Sequence, residues 1–363
     1  MRPADPARPM DTLLVSTCNT LNLALPGRVF YPNQDAYTQA EFERKVDWLG
    51  GRLRALNADV LAVQEVWDEQ ALQTAIGRSG LRYDFVSVPG AENTGASHGA
   101  QGTPRVGIAT RLRVESLRSI AEFPPALAVD VPGLGTHHRF ERPPLLATLR
   151  MKHGQTVNVV TAHLKSKRPK FLLDALGQPL EDRDDRKVAA LASLRSLIMR
   201  GVEAAALRCL VVDLLQRTDV PLVLLGDFND TPDSVTTQLI CATTEVAYDR
   251  SARDVALYNA YDVQGDAGLK KDVAYSHIHQ GMPAVLDQIL VSEEFVPSAR
   301  SGPNTGDVRR VDYFNDHLHE GRDRTRSDHG FVRALLRLPM PALTPTRPTR
   351  PTRPTTSAVP PAA

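Results

Sequence analysis

The amino-acid sequence predicts an α/β protein, and three observations carry the prediction. Short apolar runs alternate with longer stretches of helical spacing. The composition is globular, with 363 residues, 42% hydrophobic and 23% charged, enough to bury a sizeable core. The apolar runs also end repeatedly on polar or acidic residues: Asn19, Glu65, His163, Asp227 with Asn229, Asp287, and Asp328 with His329. Strand ends are rigid positions, and those on one sheet edge can converge on one cleft.

Taken in order, Leu13-Leu14-Val15 reads as a strand leading into Asn19. Phe42, Val46, Leu49, Leu53 and Leu56 recur at helical spacing and predict an amphipathic helix over 41–56. Val60 to Val63 is a buried strand ending at Gln64-Glu65, and Val106 to Thr110, Leu145 to Arg150 and Val157 to Ala162 are further strands. Val188, Leu191, Leu194 and Ile198 mark a second helix, whose pattern extends past Gly201 to Leu215. Leu222 to Leu225 runs as a strand into Gly226-Asp227, and Val285 to Val291 and Phe331 to Leu336 complete the set. Gly90 to Pro104, rich in Gly, Ala and polar residues, reads as a loop. No repeat of solenoid length and no linker interrupts this region.

The ends differ. Residues 1–10 are rich in Pro and Arg and read as disordered. From Pro339 the chain turns to Pro, Thr and Arg, with Thr-Arg-Pro repeated at 346–348, 349–351 and 352–354, and reads as a tail without a core. One domain over 11–338 remains.

Charge excludes two broad classes. Lys and Arg total 43 against 42 Asp and Glu, a net charge of +1, so the chain is neither a basic nucleic-acid coat nor an acidic solvating chain. The longest run free of charge, Thr12 to Gly27, has 16 residues and contains Asn19, Asn22 and Pro26, too short and polar to span a bilayer. Near the N-terminus, Arg2 and Arg8 are offset by Asp5 and Asp11 and no clean apolar stretch follows, so no export signal is read. Cys18, Cys209 and Cys241 form no CxxC pair. Reduced thiols in a cytoplasmic, membrane-free monomer without a stable protein partner are expected.

The strand-end residues suit one kind of chemistry. A carboxylate such as Glu65, adjoining Leu61-Ala62-Val63, needs a partner or an ion. Asp227 and Asn229 are two apart, which puts both side chains on one side of an extended segment. Oxygen donors from Asn, Glu and Asp suit Mg²⁺, with Mn²⁺ as a substitute, and no Cys/His cluster competes for Zn²⁺. Two histidines with a spare carboxylate add acid–base capacity. A divalent ion with a His–Asp pair matches phosphoester hydrolysis by an activated water. No GxxxxGK[ST] loop and no GxGxxG opening a helix is present.

The ordered set Thr-Cys-Asn19-Thr-Leu-Asn, Val-Gln-Glu65-Val, Thr-Ala-His163-Leu-Lys, Leu-Gly-Asp227-Phe-Asn229-Asp, Leu-Asp287-Gln-Ile-Leu-Val-Ser and Ser-Asp328-His329 resembles the endonuclease/exonuclease/phosphatase superfamily, the DNase I-like fold. The resemblance implies a four-layer α/β/β/α sandwich of two mixed sheets with outer helices, rather than the open doubly wound sheet that alternation alone suggests. It implies that Glu65 is the principal Mg²⁺ ligand, with Asn19 and Asp328 near the ion. Asp227 and Asn229 would position the attacking water or the phosphate, and Asp287 would hold the His329 ring. His329 would act as general base or phosphate-oxygen donor, and His163 would bind the phosphate or stabilise the leaving oxygen. Gln288 departs from the aromatic or His that many relatives carry after the Asp.

Lys165, Lys167, Arg168 and Lys170 follow His163 directly and read as a basic edge that tracks substrate phosphates. The resulting expectation is a nuclease acting on DNA or RNA. The alternative is a phosphoesterase acting on a small phosphorylated metabolite, an inositol phosphate or a lipid headgroup.

Overall fold

The computed structural model describes residues 9–31, 34–90, 103–174, 177–242, 249–265, 274–297, 305–318 and 323–341. Most of the loop read at Gly90 to Pro104, the first eight residues and the tail from 342 onward lie outside the described residues. In chain order the first half runs β1 (Met10–Leu23), α1 (Gln39–Leu56), β2 (Val60–Val66), α2 (Glu69–Ser79), β3 (Phe85–Ser87), β4 (Arg105–Thr110), β5 (Arg113–Ser119), β6 (Val129–Val131), β7 (Gly135–His137), β8 (Leu145–Arg150) and β9 (Thr156–His163). The second half runs α3 (Arg186–Leu215), β10 (Leu222–Asp227), α4 (Val235–Cys241), α5 (Arg250–Arg253), β11 (Leu257–Asn259), α6 (Ala260–Val263), β12 (His277–His279), β13 (Met282–Ala284), β14 (Asp287–Ser292), β15 (Asp307–Phe314) and β16 (Phe331–Pro339).

Two six-stranded mixed sheets form the centre, in the orders β15-β16-β1-β2-β4-β3 and β11-β14-β10-β9-β8-β5. The β1–β2 and β9–β10 pairs are parallel. Alternation along each strand sorts the core into layers. Val60 and Ala62 join Leu13, Val15, Val223 and Leu225 between the sheets. Their neighbours Leu61 and Val63 pack outward against Val46, Leu49 and Leu72 of α1 and α2. On the far side, Leu222 and Leu224 meet Leu207 and Val211 of α3. This is the four-layer sandwich expected.

The helix read at 41–56 starts two residues earlier, at a capping box in which Thr38 accepts from the Glu41 N–H and Glu41 accepts from the Thr38 N–H. α3 continues unbroken through Gly201. Strand pairing reaches Met10 opposite Pro339, so each end of the folded unit extends one residue beyond the boundary read from composition. The ladder hydrogen bonds outweigh the polar composition there. Several short elements were missed, and with them three longer ones, β5, β15 and α2. β5 is mostly exposed and β15 is an edge strand bearing Arg309 and Arg310, so neither shows an apolar run. α2 buries Ala71, Leu72, Ala75 and Ile76, a helical pattern that is legible in the sequence. The three cysteines are unpaired, and no described helix is long and apolar enough to cross a membrane.

Candidate active site

One edge of the sandwich gathers the C-terminal ends of β1, β2, β9 and β10 with the starts of β14 and β16. Parallel register sets Asp227 beside His163, and antiparallel register sets it opposite Asp287. The tight approach of β10 to β9 requires Gly226: with φ at +153°, a Cβ there would lie 1.9 Å from the Ala162 carbonyl oxygen. Both central strands of the other sheet break register near the edge, between Asn19 and Leu23 and between Val63 and Val66. Leu21, Asn22 and Glu65 adopt left-handed backbone angles there, as does Asn229 after β10. The Thr20 hydroxyl donates to the Gln64 carbonyl at 2.7 Å and pins the two irregular strand ends together.

Asp227 is the hub. Its Oδ2 accepts from the Asn19 amide at 2.9 Å, and its Oδ1 accepts from the Asn229 backbone N–H at 2.8 Å. His163 Nε2 stands 3.4 Å and His329 Nε2 3.8 Å from the same Oδ2. His329 Nδ1 meets Asp287 Oδ2 at 2.7 Å. Ser327 donates to the Asn19 carbonyl at 2.6 Å and accepts from the His329 N–H at 3.0 Å, which ties the approach to β16 to the neighbouring end of β1. Asn229 also donates to the Leu164 carbonyl at 2.9 Å. Asn19, His163, Asp227, Asp287 and His329 are buried, Glu65 and Asn229 are half-buried, and Asp328 is exposed beside them.

Burial raises the Glu65 carboxyl above its ordinary range, and the neighbouring Asp328 and Asp227 carboxylates add to this against the pull of His329 and Arg142. Burial likewise raises Asp227, with Asp287 adding and the His329 ring opposing. Burial alone would lower His329, but the Asp287 and Asp227 carboxylates win and hold it well above the ordinary histidine range. His163 goes the other way: burial first, then Arg142, His329 and Lys165, keep it well below that range.

These residues fit a divalent cation. Glu65, Asp227 and Asp328 crowd anionic oxygens whose mutual repulsion a cation relieves, and hard oxygen donors suit Mg²⁺ or Mn²⁺. Asn19 turns its NH₂ towards Glu65 and Asp227 while its Oδ1 accepts from the Leu21 N–H, so as arranged it orients the carboxylates rather than offering an oxygen ligand. Two compact donor sets exist among the described residues, His277 with Asp328 and His329, and Asp227 with Asp287 and His329.

The basic run divides. Lys167 pairs with Asp230 at 2.8 Å and Lys170 with Glu141 at 3.1 Å. Lys165 is buried, and its backbone N–H donates to Glu203 at 2.6 Å. Arg168 is exposed, has no carboxylate partner among the described residues, and lines a cleft of about 1100 Å³ beside Asn22, Ser327 and Asp328. Gln288 donates to the Asp230 carbonyl at 2.8 Å and supports that side of the site. Two participants were missed in the sequence. Arg142 donates to the carbonyls of His163 and Leu164 at 3.1 and 2.6 Å, and His277 stacks on His329 with centroids 4.9 Å apart. Neither sits at the end of an apolar run, the only signal that marked the others.

The chain matches the Endonuclease/Exonuclease/phosphatase family over residues 41–329. It belongs to that family of divalent-metal-dependent hydrolases acting on phosphate esters. Comparison with curated proteins gives no match. Among solved structures it is similar to the human Nocturnin catalytic domain with bound sulfate, at 16% identity and TM-score 0.53, covering 91% of this chain and 97% of that one. A humanized Danio rerio TDP2 aligns at 14% identity and TM-score 0.52, covering 90% and 98%. A Bacteroides thetaiotaomicron mannosyl-6-phosphatase aligns at 14% and 0.50, covering 89% and 99%. At these identities the likeness is one of fold.

Proposed function

We propose that the protein is a Mg²⁺-dependent phosphodiesterase that cuts a DNA or RNA strand, with Mn²⁺ able to substitute. The observation that carries this reading is the cleft beside Asp328. Arg168, Lys170, Arg183, Arg324 and Arg326 line it, and its volume of about 1100 Å³ exceeds what one phosphoester needs. Such a surface suits phosphates flanking the scissile one.

A divalent ion at Glu65 and Asp328 would neutralise charge on the phosphorus oxygens. Asp227, its carboxylate oriented by Asn19 and Asn229, takes the proton of the attacking water, and its raised affinity for protons suits that task. His329, kept cationic by Asp287 and Asp227, donates to a phosphate oxygen rather than serving as general base. His163, kept neutral, presents Nε2 beside Asp227 towards the leaving oxygen.

The test is a substrate panel of plasmid, single-stranded DNA, RNA, bis-(p-nitrophenyl) phosphate, and sugar and inositol phosphates, each with Mg²⁺, Mn²⁺ or EDTA. Metal-dependent cleavage of a polynucleotide, lost in Glu65→Ala, is the expected result. Turnover confined to small phosphate esters would overturn the reading.

A further inference from the structure

The cleft is bordered by a segment between β9 and α3 that the catalytic reading leaves unused. Its arms, residues 168–174 and 177–183, pair as a hairpin. Leu173 bridges Pro179, the Leu180 N–H donates to the Leu172 carbonyl at 3.0 Å, and the Leu172 N–H donates to Glu181 at 2.8 Å. The base of the hairpin is clamped. Arg195 of α3, 2% exposed, forks onto both Glu181 oxygens at 2.8 Å and donates to the carbonyls of Pro132 at 2.6 Å and Lys170 at 3.2 Å. Ser196 donates to the Arg168 carbonyl at 2.6 Å. The hairpin is therefore held in place before any substrate arrives, which lowers the cost of binding.

Three of its side chains hold no hydrogen bond or ion pair among the described residues. Phe171 lines the cleft half-exposed, with the Arg183 guanidinium over its ring at 5.5 Å from the centroid. Arg183 and Arg168 are exposed and, among the described residues, hold no carboxylate. The other cations of the cleft are engaged: Lys170 with Glu141, Arg324 with Glu41 at 3.1 Å, and Arg326 with Asp323 at 3.3 Å. One flat aromatic surface beside two unpaired guanidinium groups offers a π-face and anion contacts within one cleft. A nucleobase next to its own phosphates carries both complements.

Resting on the nuclease reading above, we propose that Phe171 and Arg183 form a stacking subsite for one unpaired base flanking the scissile phosphate, with Arg168 taking an adjacent phosphate. A paired base has its faces covered by its neighbours, so the subsite selects single-stranded substrate.

The test uses the full chain and single-stranded oligonucleotides carrying an abasic site at each position around the cut in turn. In the wild type, one flanking abasic position raises KM roughly tenfold or more, as loss of one base stack does. Phe171→Ala and Phe171→Leu, which lack the flat face, lose that position-specific penalty, whereas Phe171→Trp keeps it. Annealing a complementary strand raises the wild-type KM as well. An abasic penalty equal in the wild type and both Phe171 variants, each melting as the wild type does, overturns the subsite while leaving the nuclease reading intact. A wild type that hydrolyses small esters but no oligonucleotide overturns both.

Discussion

His163 and His329 flank the same oxygen of Asp227, at 3.4 and 3.8 Å, yet their protonation is driven in opposite directions. The difference lies behind each ring. Behind His329 stands Asp287, 2.7 Å from Nδ1, and Asp328 is next in the chain. Behind His163 no hydrogen-bond partner reaches Nδ1 among the described residues, so burial lowers it unopposed, and the charges of Arg142, His329 and Lys165 add to that. Two histidines at strand ends in one site are thus made into different reagents by what lies beyond the reacting edge. Both flanks are rigid. Ser276 holds Asp287 by accepting from its N–H at 2.9 Å. Arg142 and Glu203 grip the backbone on either side of Leu164.

The comparison breaks most completely at the shared residue. Asp227→Asn removes the proton acceptor and one of the two carboxylates that keep His329 charged, and should lower kcat on the order of 10³-fold or more. Single-turnover cleavage with near wild-type rate would deny Asp227 that role.

The next effect concerns the His163 flank and is one of stability. Burial lifts the Glu203 carboxyl from 4.5 to about 7, against Arg142 and the N–H donors of Lys165 and Glu141. Its folded value lies above its unfolded one. Between those two values the folded chain therefore binds more protons than the unfolded chain, and stability falls as pH rises. Glu203→Gln should remove that slope, gaining on the wild type by on the order of 3 kcal/mol between about pH 5 and pH 8. Urea melts at the two pH values measure it, and parallel pH dependence in both proteins would contradict it.

Asp287→Asn should erase the contrast itself. The His329 ring, followed by NMR, should titrate lower while His163 stays neutral, and kcat should fall about 10²-fold. The smallest change is expected from Arg142→Ala. Loss of that cation should let His163 titrate higher and cost about tenfold or less in kcat/KM. If both rings shift alike in either variant, the two flanks are not independent.

Much of this was written in the order of residues. The apolar runs ending at Asn19, Glu65, His163 and Asp227 each named a strand and a site residue together, because a strand's alternation and its rigid end are both local properties; Asp287 and His329 stand instead where strands start. Val60 to Glu65 is the clearest case: Val60 and Ala62 face the inter-sheet core, Leu61 and Val63 the helices, and Glu65 leaves at the edge. The edge strands β5 and β15 escaped because their polar, exposed faces carry no apolar period.

Tertiary structure alone decided charge and availability. Lys165, Lys167, Arg168 and Lys170 look equivalent in the chain, but burial takes Lys165 out of reach of solvent, Asp230 and Glu141, distant in sequence, pair with Lys167 and Lys170, and Arg168 is left exposed. Arg195 and Glu203 lie on a helix whose sequence reads as apolar, and their burial is set by the hairpin and strand packed over them. Residue types and their order determined the fold and the reacting groups. Through-space electrostatics, which depends on distance and burial rather than on position in the chain, determined which histidine carries the proton and which arginines remain free for a substrate.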